Sequence, residues 1–212
     1  MFKDYSNFYD MMNSDKDYKG ECEFVYQWAD KPKTILDLGC GTASYWKYFP
    51  AKMTGIEKSA DMIKRSKHRE RIIQADIIDT SFNIFNKDFN CITALFDVIN
   101  YLPKHNFWKW LPIKKGGFFI FDMWNKDKVD KDGFKVTVRQ FGSIKRIIIP
   151  DRKGNKVKLV LVVQDNSVAH IEHHTMYLYS EHQIKKFCGK EFKLVDKKQT
   201  DNWQTFYRLQ RR

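Results

Sequence analysis

The run "KTILDLGCGTAS", residues 33–44, sets the strongest limit on what this chain can fold into. A short apolar strand, Thr34 to Leu38, enters a turn carrying two glycines one residue apart, and "SYWKYF" after it has helical potential. Glycine lets a backbone approach a ligand closely, and the start of a helix offers free N–H groups. Such a unit belongs in a sheet that presents ligands at the carboxyl ends of its strands.

The unit repeats. "MTGIEKS" is a second strand ending in an acid, Glu57, and "SADMIKRSKHRE" follows as a helix with Ser59 as its N-cap. "RIIQAD" ends at Asp76, "FNCITALFDVINYL" reads as a fourth apolar strand, "HNFWKWL" as a short helix and "GGFFIFDMWN" as a fifth strand. This alternation predicts an α/β fold of Rossmann type, with a parallel sheet covered by helices on both faces. Ahead of it, residues 17–29 place Tyr18, Cys22, Val25 and Trp28 or Ala29 along one helical face, with Pro32 as the stop.

After Asn125 the pattern changes. "FKVTVRQFG", "IKRIIIP", "KVKLVLVVQ" and "HIEHHTMYLYS" are β-rich runs joined by short turns, which predicts a small antiparallel meander. "SEHQIKKFCGK" reads as a helix capped by Ser180 and closed near Gly189, and "EFKLVDKKQT" with "WQTFYRLQ" as an antiparallel pair at one edge of the main sheet. The expected organisation is a single domain over residues 1–212. It comprises a helical cap at 1–30, an α/β core at 31–125, an inserted β lobe at 126–179, and a helix with the final strands at 180–212.

Hydrophobic residues at 42% and aromatics at 16% exclude a disordered chain. No run approaches the roughly 20 apolar residues of a membrane span, and the Asp- and Tyr-rich opening lacks the apolar segment of a secretory signal. Cys22, Cys40, Cys91 and Cys188 are far apart and form no CxxC pair, so neither a zinc ribbon nor a disulfide framework is indicated, and reduced thiols point to a cytoplasmic protein. Net charge is +12, and its distribution is uneven: residues 1–100 carry 14 Lys and Arg against 15 Asp and Glu, residues 101–212 carry 24 against 11. The second half therefore either meets an anionic partner or presents a lysine-rich solvated surface.

In "DLGCGTAS" the third glycine of a dinucleotide fingerprint is absent, with Ala43 and Ser44 in its place, while Glu57 lies 18 residues beyond Gly39, near the spacing of a ribose-binding carboxylate. These segments resemble the class I S-adenosylmethionine-dependent methyltransferases. "ILDLGCGTAS" is similar to their first motif, "TGIEKSADMI" to the second, "QADI" to the third, and "ITALFDVINYL" with "GGFFIFD" to later strands, over residues 34–122. The resemblance implies S-adenosylmethionine as cofactor, with Asp37, Gly39 and Gly41 at its methionine end, Glu57 and Lys58 at the ribose, and Asp76, Ile77 and Phe96 around the adenine and the cleft. The flanks "YSNFYDMMNSDKDYKGECEFV", "FDMWN" and "HIEHHTMYLYSEHQI" are similar to sugar N-methyltransferases acting on nucleotide-linked aminosugars. By that likeness Tyr9 and Tyr18 shield the cofactor.

Methyl transfer needs a neutral nucleophile held in line and a route for its proton. Tyr101 and Asn100 after the fourth strand, and Asp122 and Trp124 at the end of the fifth, lie where such sheets put ligands. Asp122 and Tyr101 are candidates for catalysis, Asn100 and Trp124 for substrate binding. In "HIEHHT" the alternation of a strand puts His170, Glu172 and His174 on one face and His173 and Thr175 on the other. His173 is a candidate proton acceptor and His174 a substrate contact, both set against an ordinary strand histidine. A metal is not expected, because no His or Cys cluster completes a ligand shell. Lys145, Arg146, Arg152 and Lys158 are candidates to pair with a diphosphate. The expected reaction is methylation of a small polar acceptor, foremost the amino group of a nucleotide-linked sugar. An RNA methyltransferase and a non-catalytic S-adenosylmethionine-binding module are the alternatives.

Overall fold

A computed structural model of the chain describes residues 5–79, 85, 88–103, 107–200 and 203–212. Its centre is a seven-stranded sheet in the order β10-β11-β5-β4-β1-β2-β3. The strands are β1 (Thr34–Leu38), β2 (Lys52–Glu57), β3 (Ile72–Gln74), β4 (Phe89–Ala94), β5 (Ile113–Trp124), β10 (Phe192–Gln199) and β11 (Gln204–Arg211). β1 to β5 are parallel, and β11 runs antiparallel between β5 and β10. The final pair thus joins the sheet with its last strand inside and β10 at the edge.

β1 and β4 are buried almost throughout, as parallel strands covered on both faces must be. One core layer gathers Leu36, Leu38, Ile92, Phe119, Phe121 and Ile184; the other gathers Cys22, Val25, Ile35, Trp46, Cys91 and Phe206. The four cysteines are free and buried. Helix α2 (Tyr18–Trp28) buries Cys22 and Val25 as its spacing predicts, but it ends at Trp28, where Asp30 and Lys31 take left-handed φ values of 57° and 54° ahead of Pro32. The "SYWKYF" segment forms a single 3₁₀ turn, Trp46–Tyr48. Ser59 caps α3 (Ala60–Arg65) by accepting from the Met62 amide, and Ser180 with Gln183 closes a capping box on α6 (Glu181–Cys188).

The meander is a separate four-stranded antiparallel sheet, β6 (Thr137–Phe141), β7 (Ile144–Lys153), β8 (Lys156–Asp165) and β9 (Val168–Tyr177). It follows α5 (Lys126–Asp132), whose Asn125 cap accepts from the Lys128 amide. The inner face of the lobe packs Val157, Leu159, Leu161 and Met176 against Tyr5 and Met12 of the N-terminal segment. That segment therefore bridges the lobe and the carboxyl ends of the parallel strands. Among the described residues no helix is long and apolar enough to cross a membrane, and no cluster of three or more His, Cys, Asp or Glu could hold a metal ion.

Candidate active site

The glycine turn leaves β1 with Gly39 at φ +66° and Gly41 at φ +56°, values that side chains rarely adopt. The Gly39 and Cys40 amides donate to the Ile56 carbonyl at 2.8 and 3.1 Å, tying the turn to β2. Beneath it lies Asp37, fully buried, which accepts from Tyr45 Oη at 2.5 Å, Trp46 Nε1 at 2.7 Å and Thr93 Oγ1 at 2.8 Å. Burial pushes its carboxyl up to about 6 against those three bonds. Asp37 is therefore an anchor under the turn, not a cofactor contact.

In front of the turn opens a cleft at the carboxyl ends of the parallel strands. Gly39 and Gly41 form one wall, Glu57, Asp76 and Ile77 another, with Tyr9, Lys58, Phe96 and Tyr101 around them. Glu57 Oε2 accepts from the Gly41 amide at 2.9 Å and Oε1 from the Ser59 amide at 2.7 Å. Burial raises its carboxyl, and the backbone bonds oppose that. Asp76 accepts from the Ile78 amide at 3.0 Å and pairs with Lys58 at 2.6 Å. Thr42 donates to Asp10 at 2.7 Å, holding the Tyr9 segment to the glycine turn. Tyr18 does not line this cleft; it stacks on Tyr45 and meets Phe96 edge-on, with ring centroids 6.0 and 5.2 Å away.

The fourth strand stops at Ala94, earlier than its apolar run predicts. Phe96 and Asp97 turn left-handed, φ 67° and 63°, and α4 (Val98–Tyr101) starts there. Two such residues in succession are strained. Asp122 holds them: its fully buried carboxylate accepts from the Phe96 amide at 2.6 Å, the Asp97 amide at 3.1 Å and Gln204 Nε2 at 2.7 Å. This corrects its reading as a proton acceptor, since its oxygens are engaged by the turn. Asn100 is likewise structural rather than substrate-facing. Its Nδ2 donates to the Tyr177 carbonyl at 2.7 Å and its Oδ1 accepts from the Trp124 amide at 2.9 Å, clamping α4 to β5 and β9.

The turn aims Asp97 into a second hollow lined by Lys16, Trp124, Lys128, Asp132, Trp203 and Gln204. Asp97 is partly buried, and desolvation together with the Asp122 charge pushes its carboxyl up to about 8. The Lys16 ammonium sits 3.6 Å from the Phe96 ring centroid, between the two hollows. Asp97 is the acidic residue that sequence reasoning missed. Its only signal was an Asp in "LFDVIN" just past a strand end.

On β9 the alternation holds, and the face with two imidazoles is the inner one. His174 is 1% exposed; its Nδ1 lies 3.1 Å from Tyr101 Oη and its Nε2 lies 3.1 Å from Glu172 Oε2. Glu172 Oε1 also accepts the Tyr5 amide at 3.0 Å. His170 packs against Phe8. His173 is exposed on the outer face, which corrects its reading as a site residue. Arg146 points at the N-terminal segment, 3.5 Å from Tyr5 Oη and 3.4 Å from the Met12 carbonyl. Arg152 pairs with Asp130, while Lys158 is exposed opposite Asp151 on the outer face. Lys145 pairs across the strands with Gln140 and Gln164, on the opposite face of β7 from Arg146, so the four basic residues are not brought together around one ligand.

Residues 36–121 match the model of a methyltransferase domain family. An S-adenosylmethionine-dependent methyltransferase from Clostridium acetobutylicum superposes with a TM-score of 0.80 at 19% identity, covering 98% of this chain and 97% of its own. CalS10, an amino pentose methyltransferase from Micromonospora echinaspora, gives 0.79 at 16% identity, covering 100% and 98%. The sugar N-methyltransferase KedS8 from a Streptoalloteichus species gives 0.74 at 19%, covering 98% and 93%. No curated protein matches the chain.

Proposed function

We propose that the chain is a class I methyltransferase that uses S-adenosylmethionine to methylate the amino group of a small, polar, anionic acceptor, a nucleotide-linked aminosugar or a similar metabolite; the family match over residues 36–121 and the fold shared with S-adenosylmethionine-dependent methyltransferases support this reading. The cofactor fits the residues present. The bare backbone of Gly39 and Gly41 makes one wall, and a Cβ at Gly39 would lie 2.7 Å from Val98 Cγ2, so the turn stays open to a ligand only as glycine. Glu57 has a carboxylate for a ribose diol, and Asp76 with Ile77 has the polar edge and apolar flank that suit an adenine. The cofactor supplies a methyl group on a sulfonium, already activated for in-line displacement.

One observation supports the choice of acceptor: the hollow beside the cofactor cleft combines two acids, Asp97 and Asp132, two aromatic walls and two ammonium groups. Asp97 gives an acceptor amine a carboxyl to hydrogen-bond, Trp124 and Trp203 offer faces for a sugar, and Lys16 and Lys128 suit a phosphate. A cleft of this kind takes one small molecule, which favours a metabolite over RNA. The likeness to sugar N-methyltransferases extends through the lobe and the N-terminal segment, which supports the same reading. Buried free cysteines fit a reducing cytoplasm.

The test is to incubate the protein with S-adenosylmethionine and a panel of TDP- and UDP-linked aminosugars and follow S-adenosylhomocysteine. Turnover on an aminosugar, with a raised KM for it in Asp97→Asn, is the expected result. Turnover on RNA alone would overturn it.

A further inference from the structure

We propose that Tyr101, His174 and Glu172 form a proton relay that leads from the acceptor amine into the lobe, with Tyr101 as the group that meets the substrate. The inference rests on the reading of the site as an amine methyltransferase.

Three contacts carry it. Tyr101 lines the cofactor cleft, and its hydroxyl is 3.1 Å from His174 Nδ1. The opposite ring nitrogen of His174 is 3.1 Å from Glu172, and that carboxylate also accepts the Tyr5 amide at 3.0 Å. His174 is buried, and its side chain is wholly shielded from solvent. A core histidine needs only two partners. This one has a cleft-lining hydroxyl on one nitrogen and a carboxylate on the other, which is the order a relay requires.

The groups around the ring fix its resting state. Desolvation lowers the His174 pKa, Glu172 works against that, and His173 adds to the lowering. Tyr101 is raised far above its ordinary value by burial, with Asp97, Tyr5 and Glu172 adding to the effect, so a standing tyrosinate is excluded. At neutral pH the ring is therefore neutral. With Nε2–H donating to Glu172, Nδ1 accepts from Tyr101, which leaves the oxygen of this cleft-lining residue able to act as an acceptor.

The proton balance follows. An amine that enters as an ammonium must lose one proton before its lone pair can attack. Its N–H bond breaks as that proton passes to Tyr101 Oη, while the Tyr101 O–H proton passes to His174 Nδ1. The resulting imidazolium is paired with the Glu172 carboxylate. The nitrogen then forms its bond to the methyl carbon as the carbon–sulfur bond breaks, and the methylated amine leaves as an ammonium. Asp97 offers the incoming amine a hydrogen-bond partner, and the relay removes the proton.

The experiment combines two readouts. Long-range ¹H–¹⁵N spectra of histidine-labelled protein report the tautomer of His174 without any turnover. The expected ring is neutral at pH 7 with the proton on Nε2, and Glu172→Gln lowers its titration midpoint further. Steady-state kinetics with a TDP-linked aminosugar are expected to show kcat in Tyr101→Phe falling by at least about 100-fold, while S-adenosylmethionine affinity measured by calorimetry changes less than threefold. In Glu172→Gln the rising limb of the kcat pH profile should move. A ring protonated on Nδ1, or a Tyr101→Phe variant with unaltered kcat, overturns the relay. Bound S-adenosylmethionine with no aminosugar turnover, alongside the Nε2–H tautomer, would instead count against the acceptor assignment.

Discussion

The Asp122 carboxylate accepts the backbone amide of Asp97 at 3.1 Å, so one buried acid holds a second in a left-handed turn and points it into the hollow between Trp124 and Trp203. The two residues are 25 positions apart in sequence, and the turn they share ends β4 and starts α4.

Asp122→Asn tests this division of labour. An amide in that place has one oxygen to offer where three donors now converge, and its NH2 group would face one of them. The variant should lose about 2–3 kcal/mol of stability, read from urea unfolding. Removing the Asp122 charge should also bring the Asp97 carboxyl back toward the ordinary carboxylate range, visible by ¹³C NMR. Were Asp122 the proton acceptor, the same variant would keep its stability and lose only turnover.

Asp97 gives the protein a pH signature. Desolvation and the Asp122 charge push its folded-state pKa up to about 8, above the unfolded value of about 3.9. The folded state therefore binds the proton more tightly, and the resulting stability is present at acid pH and lost as pH rises toward 8. Wild-type protein should be more stable relative to Asp97→Asn at pH 5.5 than at pH 8. Equal differences at the two pH values would contradict the shifted carboxyl.

Glu57→Ala removes the carboxylate that joins the glycine turn to β2 and lines the cleft. S-adenosylmethionine affinity should fall by at least about tenfold, the equivalent of one charge-assisted hydrogen bond of 1.4 kcal/mol or more. Calorimetry on the variant and on Gly39→Ala, whose new Cβ would press on Val98, measures both walls of the cleft. Unchanged affinity in both would remove the cofactor assignment.

The glycine-turn wall of the cleft was readable in the sequence because it occupies a contiguous stretch of backbone: two glycines with positive φ and an acid at the end of the next strand. The second hollow was not, because it depends on contacts between distant positions. The apolar run "FNCITALFDVINYL" looks like one strand, since no local signal shows that Asp122 will bend it at Phe96. Strand alternation correctly grouped Glu172 with His174, yet it could not say which face of β9 looks inward, because Ile171 and His173 on the outer face are no more polar than their neighbours. The order β10-β11-β5 was equally hidden: two consecutive strands can add to an edge with either one inside.

That order has a consequence for how the protein is made. β5 finds its second neighbour only in residues 204–211, which pair with it through seven register positions from Gln204↔Trp124 to Gln210↔Phe118. During synthesis the apolar strand "FFIFDMW" must wait, with one side unpaired, while the lobe, α6 and β10 are translated. A ribosome stalled before residue 204 would hold a chain with its motifs complete and its sheet open, a target for chaperones or for aggregation.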